Sequence, residues 1–248
     1  MQKNILIIGG TSGLGRRLAE LYAADGFMVG IVGRRGKKLD DIHQQFPNHV
    51  RTLQADISDP DISPQIKSFI DTLGGIDILI VTASVIEFNT GLLAAPEIHT
   101  ITTNVNGFVS VINVAWEHFK QRGGGQIVGV TSIAAARGNK AAPAYHGSKA
   151  FQSIYLESLR VKAKHEKNNI TVTELIPGYM DTDMGKGERL FWIAPVDKAA
   201  RQCRTAIQKK KRRSFITKRW WLFYHLTRLL PASIYDRMVN SKIKLQKK

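Results

Sequence analysis

The chain has 248 residues, 43% hydrophobic and 23% charged, with one cysteine and a net charge of +16. Those are the proportions of an ordinary soluble globular protein with one large core, and a lone Cys203 excludes an internal disulfide. No stretch approaches the roughly 20 apolar residues of a spanning helix. The opening MQKNILIIGG has too short an apolar run for a secretory leader, so a reducing, cytoplasmic setting is expected.

In chain order, NILIIGG (4–10) reads as a buried strand stopped by glycine, and GLGRRLAELYAADG (13–26) as a helix with Leu14, Leu18 and Leu21 on one face. FMVGIVGR follows as a strand, KKLDDIHQQF as a short helix, VRTLQADI as a third strand, and ISPQIKSFIDTLG as a helix with Pro64 in its first turn. DILIVTA (77–83) is a fourth strand, TNVNGFVSVINVAWEHFKQR a long helix and GQIVGVTS a fifth strand. AYHGSKAFQSIYLESLRVKAKHE is another long helix and ITVTELIPG a sixth strand. From about 184 to 200 the chain reads as irregular, and beyond that as helical and basic. Strands alternating with helices predict an α/β, doubly wound parallel sheet of Rossmann type in a single domain. The expected layout is a dinucleotide-binding and catalytic body over 1–200, including a short substrate loop at about 183–196. A basic helical extension over 201–248 is packed on it or appended to it.

GGTSGLG joins the first strand to the first helix, with Gly9, Gly13 and Gly15 in a GxxxGxG spacing. Such a loop is either a plain connector or a cradle for a dinucleotide pyrophosphate, held by free N–H groups at the helix start. The second strand ends in VGRRGKK, without the acid that would accept a bond from a ribose 2′-hydroxyl. Arg34 and Arg35 suit a 2′-phosphate, which favours NADP(H) over NAD(H); the other reading is a solvated basic turn. Asp56, ending the third strand, is placed to reach the adenine or to cap a helix.

These motifs, with those that follow, resemble the classical short-chain dehydrogenase/reductase family over roughly residues 1–200. The family's TGxxxGxG is IGGTSGLG here, with Ile8 in place of threonine. Its catalytic set resembles Asn104 in TTNVNG, Ser132 in VGVTSIA, and Tyr145 and Lys149 in AYHGSKAF, with Tyr145 thirteen positions after Ser132. PGxxxTxM appears as PGYMDTDM, 177–184, whereas the family's NNAG is replaced by VTAS, 81–84. The resemblance implies cofactor contacts from Gly9, Thr11, Ser12, Gly13, Leu14, Gly15, Asp56, Ile57, Ala83, Tyr145, Lys149, Pro177, Gly178, Met180 and Thr182, with no metal. It implies Tyr145 as general acid/base, with Ser132 holding the substrate oxygen; the Lys149 ammonium and the positive charge of an oxidised nicotinamide together would lower the Tyr145 pKa. Lys149 also holds the nicotinamide ribose, and Asn104 anchors a water leading from Lys149 to solvent. The implied reaction is hydride transfer between the nicotinamide and a carbonyl or alcohol. The alternative is a non-catalytic NADP(H)-binding regulator on the same fold, which need not keep all four residues. The family also implies a homodimer or homotetramer through helices at about 103–121 and 144–166, with Phe108, Val111, Phe151 and Tyr155 at the contact.

Leu190, Phe191, Trp192 and Ile193 either line an apolar substrate pocket or pack on the sheet edge, and His146 and Tyr179 lie beside motif residues. Residues 201–248 hold 15 Lys and Arg against one acid, Asp236. A cationic, Trp-rich stretch over 208–230 fits peripheral contact with an anionic membrane, or a cap on the substrate pocket or a subunit contact. Nucleic-acid binding by KKKRR is the least favoured reading.

Overall fold

The computed structural model describes residues 3–182 and 191–241. Strands β1 (Asn4–Ile8), β2 (Met28–Gly33), β3 (Val50–Gln54), β4 (Ile78–Val81), β5 (Gly125–Val130), β6 (Ile170–Pro177) and β7 (Arg213–Ile216) form one sheet in the order β3-β2-β1-β4-β5-β6-β7. Every pairing is parallel. Alternation along β1 shows why both faces need cover. Ile5 and Ile7 join one core with α1 (Gly13–Ala24), α2 (Gly36–Gln45) and α7 (Val196–Gln208). Leu6 and Ile8 join the other with α3 (Ile62–Thr72), α5 (Phe108–Arg122) and α6 (Pro143–His165). The expected doubly wound sheet is therefore present. Its order reverses between β1 and β4, and at such a switch point the strand ends leave a crevice for a ligand.

The structure departs from the sequence reading at two places. A helix not expected from the sequence, α4 (Ala94–Ile101), precedes a π-helical turn over Thr102–Gly107 that runs on into α5. The stretch expected to be only helical also holds β7, whose Arg213 Nε donates to the fully buried Glu174 on β6 at 2.8 Å. Arg213 also donates to Ser153 on α6 at 2.9 Å. A strand of four residues with a charged start lacks the alternation that would announce it, but pairing with β6 and the Glu174 carboxylate fix it. Helix α7 is tied to α1 by Arg17–Asp197 and Arg204–Asp25 ion pairs. Two residues expected at a subunit contact, Phe108 and Val111, are instead fully buried in the chain's own core. Phe151 and Tyr155 stack on one another at 5.6 Å, and Phe151 is exposed.

Helices α8 (Trp220–Leu229) and α9 (Ala232–Ser241) follow β7. The adjacent tryptophans of α8 have opposite environments: Trp220 is 0% and Trp221 54% exposed. Trp220 lies at the centre of an aromatic group, with ring centroids of Tyr179, Phe191, Trp192 and Phe223 all 5.4–5.5 Å away. It presses so closely on Gly178 that a Cβ there would sit 2.0 Å from the indole. Trp220→Ala should therefore cost about 3–5 kcal/mol in urea unfolding, whereas Trp221→Ala should stay within about 0.5 kcal/mol. Equal effects would contradict this division.

Candidate functional site

The loop after β1 is built for close approach. Gly9 has φ +93, and a Cβ there would lie 2.6 Å from the Ala83 nitrogen; one on Gly15 would lie 2.4 Å from the Gly9 carbonyl oxygen. Thr82 stands where the family has an asparagine, and its hydroxyl donates to the Ile8 and Gly9 carbonyls at 3.0 and 3.2 Å. The VTAS segment therefore still braces the loop by a different side chain. Thr182 packs over the loop, its methyl 3.1 Å from a Cβ placed on Gly13. Buried Thr11 and Leu14, with Ser12, complete the turn into α1.

Arg35 reaches back from the end of β2 across this loop, its Nη2 2.7 Å from Thr11 Oγ1 and 2.6 Å from Ser12 Oγ. Arg34 is exposed beside it and pairs with Asp56 at 3.4 Å. Asp56 Oδ1 accepts from the Ser58 amide and hydroxyl at 2.9 and 2.8 Å, so the capping role foreseen for it is present, although in a turn. Ile57 is buried beneath, its carbonyl against Gly107. Two guanidinium groups and two hydroxyls thus lie together at the end of β2, beside the glycine loop. The residues present fit a nicotinamide dinucleotide.

Asn104, in the π-helical turn, is wholly buried. Its Oδ1 accepts from the Val85 amide at 2.8 Å and Ser84 Oγ at 3.1 Å. Its Nδ2 donates to the Val85 carbonyl at 2.8 Å and Ser148 Oγ at 3.1 Å. Ser148 lies on α6 between Tyr145 and Lys149, so this one amide ties the end of β4 to α6. The start of α6 is set by Pro143 in its first turn and by Glu97 of α4, which accepts from the Ala144 amide at 2.8 Å. Ser132, just past β5, hydrogen-bonds Tyr145 and accepts from the Ala134 amide at 3.1 Å. Lys149 Nζ lies 5.8 Å from the centre of the Tyr145 ring. The four catalytic candidates are therefore brought together.

Gln152 was not singled out by the sequence, and it lies against both Lys149 and Asn104. It is fully buried; its Oε1 accepts from Lys149 Nζ at 2.9 Å and its Nε2 donates to the Asn104 carbonyl at 2.7 Å. Gln152 thus joins Lys149 to the main-chain carbonyl of Asn104. The Val130 carbonyl takes a second Lys149 proton at 3.2 Å, leaving one of its three donors for a ligand. Burial lowers the Lys149 pKa to about 7. Burial raises that of Tyr145, and the Ser132 bond opposes the rise.

On the substrate side, Met180 pairs with Ala194, and Tyr179 touches Phe191 and Trp220. Pro177 ends β6 and Gly178 seats Trp220. Phe191, Trp192 and Ile193 remain partly exposed; Met184 and Leu190 lie outside the described residues. His146 Nδ1 is bonded to the Arg137 carbonyl at 2.7 Å. Helix α9 grips the same loop: Tyr235 donates to the Gly138 carbonyl at 2.6 Å, and Arg137 stacks on its ring.

The Gln152 geometry makes a signed prediction. Gln152→Leu removes an acceptor from the Lys149 ammonium and lowers its pKa, whereas Gln152→Glu adds a negative charge and raises it. The pH–rate limb due to Lys149 should move in opposite directions in the two variants, by on the order of one unit each. Coincident profiles would reduce Gln152 to packing.

The sequence profile of a family described as short chain dehydrogenase matches residues 3–190. An uncharacterised oxidoreductase of Mycobacterium tuberculosis is 30% identical over 240 residues, covering 92% of this chain and 93% of its own length. A Streptomyces avermitilis short-chain dehydrogenase superposes with a TM-score of 0.82 at 22% identity, over 100% of both chains. A Sphingobium yanoikuyae short-chain dehydrogenase in complex with NADPH gives 0.77 at 21% identity, covering 99% of this chain and 96% of its own. The family match spans the glycine loop and all four catalytic candidates, and the chain belongs to the short-chain dehydrogenase family of oxidoreductases.

Proposed function

We propose that the protein is an NADP(H)-dependent carbonyl reductase or alcohol dehydrogenase acting on an apolar substrate. The observation that carries this reading is that the Ser132–Tyr145 hydrogen bond lies beside buried Lys149, on a helix that buried Asn104 holds through Ser148, next to the glycine cradle. A regulator that only bound the cofactor would use Lys149 on the ribose but would have no use for Ser132 set against the Tyr145 hydroxyl. The cofactor, when bound, supplies or accepts the hydride. Tyr145 gives a proton to the carbonyl oxygen, or takes it back from the alcohol. Its raised pKa keeps the phenol protonated, the form that reduction requires. Ser132 fixes the oxygen against Tyr145, and the free Lys149 donor holds the ribose. Phe191 and Trp192, partly exposed next to Tyr179, supply an apolar wall.

Preference for NADP(H) rests on Arg34 and Arg35 and agrees with the NADPH held by the Sphingobium relative. A reducing, cytoplasmic setting accords with it. We also assign subunit contact to the outer faces of α4 and α6, where Ile98, Ile101, Phe151 and Ile154 are exposed, in place of Phe108 and Val111.

Tyr145→Phe should lower kcat about a hundredfold or more, with NADPH affinity nearly unchanged. Turnover against a panel of ketones, aldehydes and acyl-chain carbonyls, beside NADPH titration, checks both; near-normal turnover would reject the role. Arg34→Ala and Arg35→Ala should each weaken NADPH about ten- to a hundredfold and NADH far less. An equal loss for both cofactors would remove the 2′-phosphate assignment.

A further inference from the structure

Helix α8 has two apolar sides. At 100° per residue, Trp220, Phe223, Tyr224 and Thr227 share the inward face. Trp221, Leu222, Leu226 and Leu229 share the outward one, and they are 54%, 55%, 54% and 81% exposed. The outward face of a surface helix ordinarily carries charge. Here the charges stand around it: Lys218 and Arg219 before the helix, Arg228 at its margin, and Arg237 on α9, all exposed. Asp236 is the single acid between Lys218 and Val239. Exposed Ile234 on α9 adds to the same type of surface.

We infer that the outward face of α8, with its cationic rim, docks the protein on an anionic lipid bilayer. The rim decides the partner. A second copy meeting this face about a two-fold axis would bring two sets of these cations together with little acid to offset them. An anionic headgroup layer neutralises the cations and accepts the apolar residues between them, and tryptophan favours that boundary. Contact is peripheral, since no helix among the described residues is long and apolar enough to cross a membrane.

The structure also narrows the surface. The basic run Lys209–Arg212 precedes β7, and α8 follows it. Because the strands are parallel, these lie at opposite edges of the sheet. The membrane-facing part is therefore α8 with α9, on the edge that carries Ser132, and not the whole of 208–230.

The test is co-sedimentation with vesicles of phosphatidylcholine mixed with phosphatidylglycerol, beside vesicles of phosphatidylcholine alone. Binding to the mixed vesicles at low salt is expected, weaker in high salt and poor without the anionic lipid. Trp221→Ser with Leu226→Ser should reduce partitioning roughly tenfold or more at any salt. Lys218→Gln with Arg228→Gln should reduce it about tenfold or more, at low salt only. Changing Lys209, Lys210 and Lys211 to Gln should have a much smaller effect. Brominated acyl chains should quench emission that disappears in Trp221→Phe, which guards against a variant that loses binding through misfolding. No binding to anionic vesicles at low salt overturns the inference. So does loss that follows Lys209–Lys211 rather than the α8 face. A wild-type oligomer that Trp221→Ser with Leu226→Ser dissociates, without vesicle binding, would assign the face to a second copy instead.

Discussion

The buried amide of Asn104 is the constraint on which the site depends. It has two acceptor and two donor positions, and all four are used. A buried amide left half-paired costs free energy, so the segment after β4, the π-helical turn and α6 are held in one relative position. The π turn belongs to the same constraint, because it places the Asn104 side chain toward Val85 and its carbonyl toward Gln152. π-Helical turns inside α-helices are costly and occur often at functional sites. Removing the Asn104 amide would free Ser148, which stands between Tyr145 and Lys149, together with the Val85 segment, while the bond from Gln152 to the Asn104 main-chain carbonyl would stay.

A second polar network does the corresponding work under β5. Thr131, next to Ser132, donates to the buried Glu174 at 2.9 Å, and Glu174 accepts from Arg213. An ionised carboxylate without solvent requires such partners. The final strand therefore supports the strand that presents Ser132, and part of the tail's positive charge is spent inside the fold. Trp220 on Gly178 and Tyr235 on the 137–138 loop extend that dependence to α8 and α9. Residues 201–241 are thus packed against the body at several points.

The legible parts of this structure were those where chemistry or sterics demand a residue type at a fixed spacing. Gly9 and Gly15 are glycines because a Cβ would collide with backbone, and Tyr145 and Lys149 share a helix face because four residues make one turn. α4 was hidden by Pro96, and its stability derives from Glu97 contacts that no periodicity records. β7 was hidden by its brevity and its basic start. Gln152 looks like a surface residue until the buried stripe of α6 is followed through Lys149, Gln152, Leu156, Leu159 and Ala163, spaced by three and four. Two polar residues at the head of an otherwise apolar stripe were the available signal. The division between Trp220 and Trp221 was not legible, since adjacent positions on a helix differ by 100° and only packing decides which turns inward.

Lys149 shows how the site opposes the fold. Its pKa is about 7 in the folded chain, well below the ordinary lysine value near 10.4 of an unfolded one. Between those values the unfolded chain binds more protons than the folded one, so this group makes stability rise with pH through that window. Its destabilising contribution is complete below about pH 7 and vanishes above the unfolded value. Val130 and Gln152 limit the effect by accepting two of its protons, but neither carries the charge that would cancel it. A leucine would pack on this stripe without that loss. What a leucine lacks is a donor beside Tyr145 that can be charged or neutral near neutral pH, and at this position the demands of the site prevail over those of the core.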